Sequence, residues 1–112
     1  MKRGEILFAD LDPSIGSETN KKRPVLIISC NANNKASNTV TIIPLTSKTE
    51  KCYPFEVILP KKESRLPKDS KAQCQQIRTI SKARINSKAI GLISGKLLLQ
   101  VENALKLHLD MM

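Results

Sequence analysis

At 112 residues the chain has the length of one domain, enough to bury roughly two-thirds of its unfolded surface around a single core. With 40% hydrophobic and 26% charged residues and no low-complexity stretch, the composition predicts a packed globular fold and argues against disorder. Nineteen Lys and Arg against ten Asp and Glu give +9, and 16 of the basic residues lie with 8 of the acidic ones in the first 84 positions. That balance favours a polyanionic partner such as nucleic acid, although a solvated basic surface accounts for the same charge.

The chain opens with Met1-Lys2-Arg3, and no apolar leader core follows. Nor does any apolar run approach the ~18 residues needed to span a bilayer. Cys30, Cys52 and Cys74 are far apart and lack CxxC or Cys/His spacing, which predicts buried thiols in a reducing compartment. The expectation is a soluble, cytoplasmic protein with no metal and no cofactor.

Ile6, Leu7, Phe8, Ala9 and Leu11 predict a first strand, closed by Asp12-Pro13. Val25 to Cys30 predicts a second, continuous and β-branched enough to be buried on both faces. Asn31 to Asn38 is a polar connection with room for a helical turn, Thr39 to Leu45 a third strand and Phe55 to Leu59 a fourth. The charged stretch from Pro60 to Lys71, broken by Pro67, predicts an exposed loop. A fifth strand is expected over Ala72 to Ile80 and a sixth over Ile85 to Ile93. From Ser94 the period changes: Leu97, Leu98, Val101, Ala104, Leu105 and Leu109 recur at helical spacing, with Ser94 as N-cap.

Short strands followed by one late helix predict a mainly β fold with a C-terminal helix, a small antiparallel barrel or curled sheet packed by that helix. The helix carries a second apolar edge through Leu99 and Leu107, which serves either the core or a second copy of the chain.

Catalytic fingerprints are scarce. There is no P-loop, HExxH or GxSxG, and His108, the only histidine, stands near the end of the terminal helix. What remains gathers at predicted strand ends: Gly16-Ser17-Glu18, then Lys21-Lys22-Arg23, then Thr46-Ser47-Lys48, then Gln75-Gln76-Ile77-Arg78-Thr79. If the fold brings those ends together, an arginine, a threonine hydroxyl and a glutamate converge on one phosphate. The planar arginine fork suits that task, because it makes two parallel hydrogen bonds to phosphate oxygens. Taken singly, Arg23 is equally a solvated loop residue, Thr46 the start of a turn and Gln76 a strand-end amide. The residues alone point to a basic, nucleic-acid-binding small β domain.

In order, RGEILFADLDPSIGSE, KKRPVLIIS, IIPLTSK, YPFEVIL and QIRTISKARI resemble the MazF/PemK toxin family of sequence-specific endoribonucleases, over nearly the whole chain. The resemblance implies one toxin domain over residues 1–112, a small SH3-like, PemK-type barrel packed by helices, and a homodimer. It also implies metal-independent cleavage of single-stranded RNA to 2′,3′-cyclic phosphate and 5′-hydroxyl ends, and a cognate MazE-like antitoxin whose acidic tail competes for the RNA groove. Carried over by position, Arg23 stabilises transition-state charge, Thr46 binds the scissile phosphate or attacking hydroxyl, and Glu18 orients Arg23, helps accept the proton or holds its own loop. Ser17, Lys21, Lys22, Ser47, Lys48, Gln75, Gln76 and Arg78 are expected to contact RNA.

One departure affects the chemistry. Several members carry a carboxylate where this chain has Gln75, and an amide can read a base but cannot act as a carboxylate base. Two other readings stay open: a non-catalytic RNA-binding module, and a gyrase-inhibiting toxin of related fold. The ending His108 to Met112 lacks the Trp-Gly-Ile-type tail of the latter.

Overall fold

The computed structural model describes residues 1–13, 15–18 and 21–111. Seven strands, β1 (Glu5–Asp10), β2 (Lys22–Ile27), β3 (Thr39–Thr46), β4 (Glu56–Leu59), β5 (Ser70–Gln73), β6 (Arg78–Ser81) and β7 (Gly91–Leu92), form one curled sheet. Three helices accompany them: α1 (Asn31–Ala36), α2 (Lys61–Ser64) and α3 (Gly95–His108). The order across the sheet is β4-β5-β3-β2-β1-β7, with β6 also on β3, and each pairing is antiparallel. This is the mainly β fold with a C-terminal helix that the sequence predicts. No helix among the described residues is long and apolar enough to cross a membrane.

Alternation along the strands divides the core in two. Ile6, Leu26, Ile43, Leu45, Val57, Leu59 and Ala72 pack with Leu97, Val101 and Ala104 of α3. Leu7, Ala9, Val25, Ile27, Val40, Ile42 and Ile80 form the cluster on the opposite face. Val25 to Ile28 are all buried, as a strand packed on both faces requires. Ser94 caps α3 as expected, its Oγ accepting from Leu97 N at 3.2 Å.

Several boundaries differ from those predicted. β2 begins three residues early, because Lys22 and Arg23 pair with Asp10 and Ala9 of β1. It ends at Ile27, since the Ile28 and Ser29 amides both turn to the Thr41 carbonyl. The expected fifth strand is two: β5 pairs with Leu45 and Thr46, a tight turn at Cys74–Gln76 reverses nothing but shifts the chain, and β6 pairs with Thr39 to Ile42. Of the expected sixth strand only Gly91–Leu92 is a strand, preceded by an isolated bridge between Ala9 and Ile85.

The expected loop from Pro60 to Lys71 contains α2 and the start of β5, and Ser64, Leu66, Ser70 and Lys71 within it are buried. Charge misled there, because Lys71 is ion-paired inside the protein. The cysteines also depart from expectation: only Cys74 is buried, whereas Cys30 and Cys52 are exposed.

Candidate active site

Two of the predicted strand ends, those at Arg23 and Thr46, meet where the β2–β3 ladder ends. Continuing the β2–β3 register from Val25 opposite Pro44 by two residues sets Arg23 level with Thr46. Across β3, β5 and β4 the same row runs Thr46, Lys71, Ile58, while the row beside it, Leu45, Ala72, Val57, lies in the core. Arg23 and Thr46 therefore occupy neighbouring, half-buried positions on paired strands.

Both line a cleft of about 350 Å³ together with Lys22, Ser47, Lys68 and Ser70, floored by Phe8, Pro24, Leu45, Leu66 and Pro67. Among the described residues its lining holds three cations, three hydroxyls and no carboxylate. Such a lining suits a phosphate: guanidinium and ammonium groups offset its charge, and the apolar floor keeps their field from being screened by water. Thr46 Oγ1 accepts from Lys48 N at 3.3 Å, which fixes the oxygen and leaves the hydroxyl proton to donate. Lys68 was missed from the sequence, where it sits in an apparently solvated charged stretch; only its proximity to Pro67 hints at a fixed place.

The other expected site residues divide. Ser17 is joined to the QxR stretch, its carbonyl accepting from Gln76 Nε2 at 3.3 Å, and Arg78 donates to the Leu11 carbonyl at 3.3 Å. Arg84, which the sequence reading passed over, donates to the Asp10 carbonyl at 3.2 Å and to that of Asp12. Three side chains, one each from the turn before β6, from β6 and from the turn after it, thus hold the loop that follows β1. Lys21 is exposed, with its amide on Asp12 Oδ1 at 2.9 Å. Glu18 uses its carboxylate on its own loop, Oε1 accepting from Ile15 N at 2.6 Å, in keeping with a loop-holding role.

Gln75 is turned inward rather than toward the cleft. Its Nε2 donates to Glu56 Oε2 at 2.8 Å, its Oε1 is buried without a partner, and Glu56 is ion-paired to Lys71 Nζ at 2.9 Å. Burial alone raises the Glu56 carboxyl; hydrogen bonds from Gln75, the Tyr53 backbone and Lys71, with the Lys71 charge, more than reverse this and leave it below its ordinary value. Nearby, burial and then the Glu56 charge push the Cys74 thiol up to about 12. No three His, Cys, Asp or Glu among the described residues gather where they could hold a metal ion.

Comparison with known proteins places the chain in a family. The protein of Mycobacterium tuberculosis named Endoribonuclease MazF9 is 43% identical over 119 residues, covering 99% of this chain and 98% of that one. The crystal structure of MazF from Deinococcus radiodurans superposes with a TM-score of 0.85 at 24% identity, over 99% of this chain and 97% of that one. A mycobacterial endoribonuclease in complex with its cognate antitoxin superposes with a TM-score of 0.81 at 22% identity, over 100% and 97%. The model of PemK-like, MazF-like toxins of type II toxin–antitoxin systems matches residues 2–109, and the chain belongs to that family.

Proposed function

We propose that the chain is the toxin of a type II toxin–antitoxin pair, a sequence-specific endoribonuclease that cuts single-stranded messenger RNA at the Arg23–Thr46 cleft and so stops translation and growth. The observation that carries this reading is the pairing of Arg23 and Thr46 in one cleft whose lining among the described residues holds cations and no carboxylate, in a chain of this family. The ribose 2′-oxygen attacks the adjoining phosphorus, the bond from phosphorus to the 5′-oxygen breaks, and the products are a 2′,3′-cyclic phosphate and a 5′-hydroxyl. Arg23 stabilises the charge that builds on the pentavalent phosphate, and the Thr46 hydroxyl donates to one of its oxygens. Lys22, Ser47, Lys48 and Lys68 hold the flanking phosphates, and Lys21 draws the strand in by charge.

Gln76 and Arg78 support the RNA-facing loop through Ser17 and Leu11, and Glu18 stiffens it. Gln75 takes no part in reading RNA on this account, because its amide serves Glu56. A homodimer, a MazE-like acidic antitoxin that occupies the RNA groove, and action in the cytoplasm complete the reading. Incubating the purified protein with one long unstructured RNA, with and without EDTA, and mapping the new ends tests it. Cuts at a short recurring motif, bearing 5′-hydroxyls and unaffected by EDTA, are expected. Binding without cleavage would replace this reading with an RNA-binding module.

A further inference from the structure

The 47–55 segment leaves β3 after Thr46 and rejoins the sheet at Glu56, and its far end is pinned by buried charge. Lys71 Nζ donates to the Lys51 carbonyl at 2.5 Å and to Glu56 Oε1 at 2.9 Å. Glu56 Oε1 also accepts from Tyr53 N at 3.0 Å, and Glu56 N donates to the Tyr53 carbonyl at 2.9 Å. The Lys71 and Glu56 side chains are 8% and 1% exposed, so these bonds form where water competes little.

What this arrangement fixes in place is an exposed ring. Tyr53 is the chain's only tyrosine and is 52% exposed, although both its backbone groups are held. Its ring stacks on Phe55 at 5.8 Å with the planes 17° apart, and Phe55 meets His108 at 5.5 Å. Lys71 Nζ lies 5.9 Å from the Tyr53 centroid, and Lys71 is the cross-strand neighbour of Thr46. A half-exposed aromatic ring, linked to Thr46 through Lys71 and held by a fixed backbone, offers an unpaired base a stacking surface at little ordering cost.

We propose that Tyr53 is a stacking subsite for an unpaired nucleobase of the RNA strand whose phosphate lies at Arg23 and Thr46. This rests on the RNA-cleaving reading above. Because every base presents a π-face, the subsite adds affinity more than sequence choice, and it acts on binding rather than on the chemical step.

The test uses the full chain as wild type, Tyr53→Phe and Tyr53→Ala. Tyr53→Ala should raise KM roughly 5- to 100-fold with kcat nearly kept, and Tyr53→Phe should stay close to wild type. A second readout uses a 2′-O-methyl oligonucleotide matching the mapped cut site, with 2-aminopurine at each position in turn. Quenching on binding is expected at one position with wild type and Tyr53→Phe, and not with Tyr53→Ala. An unchanged KM in Tyr53→Ala, equal losses in both variants, or no Tyr53-dependent quenching overturns the subsite while leaving the cleavage reading intact. A wild-type chain that cuts no RNA overturns both.

Discussion

Thr46 and Lys71 stand opposite one another across β3 and β5, so the hydroxyl assigned to the scissile phosphate is backed by a buried ammonium. The two serve opposite ends of the same problem. Thr46 lines the cleft, and Lys71 places its charge on Glu56 and on the Lys51 carbonyl, holding the segment that leaves Thr46.

Removing either assigned catalytic group should slow cleavage without unfolding the protein. Arg23→Ala and Thr46→Ala are each expected to lose on the order of 10²-fold or more in kcat, the usual cost of deleting a preorganised charge or donor. Single-turnover cleavage of a short RNA measures this, with circular dichroism confirming the fold. Near-wild-type rates in both would end the assignment.

Lys71→Met should destabilise the chain by about 3 kcal/mol, since it leaves the Glu56 carboxylate buried without its counter-charge. Urea titration reads this as a lower midpoint. The double variant Lys71→Met with Glu56→Gln should recover part of the loss, because the orphaned charge is gone.

Acid should act through the same pair. The Glu56 carboxyl lies below its ordinary value of 4.5 when folded, so its contribution to stability is complete above that pH. As pH falls below 4.5 toward the folded value, the unfolded chain takes up the proton first and that contribution is lost. Glu56→Gln should flatten this part of the profile of melting temperature against pH, and an unchanged slope would count against the linkage.

The thiols should divide by exposure. With Cys30 and Cys52 exposed and Cys74 buried and held neutral, a disulfide reagent should titrate two thiols quickly in the native protein. The third should react only as denaturant opens the core.

Gly91 is required by contact rather than by turn geometry. A Cβ there would lie 2.3 Å from the Ser64 carbonyl oxygen and 2.8 Å from its carbon, both backbone atoms that cannot swing aside. Gly91→Ala should therefore cost about 1–3 kcal/mol by forcing β7 away from α2, whereas Gly95→Ala, with nothing near, should be benign in space.

The readable parts of the sequence were those where one pattern controls the outcome. The unbroken run Val25 to Ile28 and the three-and-four spacing from Leu97 to Ala104 each allow one placement, and both lie in the core. Positions governed by partners distant in sequence were illegible. Lys71 looks solvated until Glu56, 15 residues away, is placed beside it, and Gln75 looks like a surface amide until the same carboxylate claims it. The split of the fifth strand has the same origin, because β5 and β6 are told apart only by which half of β3 each meets. At the candidate site, Arg23 and Thr46 were legible as strand-end residues, and both line the cleft. Lys68 was not, since it reaches the cleft only through the fold of the α2–β5 connection.

β3 has a neighbour on each side: β2 along one edge, and β6 then β5 along the other. A strand so enclosed exchanges its amide hydrogens only when the whole sheet opens, so Ile42, Ile43 and Leu45 should be among the slowest-exchanging positions in the chain. Thr46 closes that strand, and the 47–55 segment begins one bond later. The residue assigned to the phosphate is thus anchored in a doubly paired strand, while the chain beyond it is held only by its own loop bonds and by the Lys71–Glu56 pair.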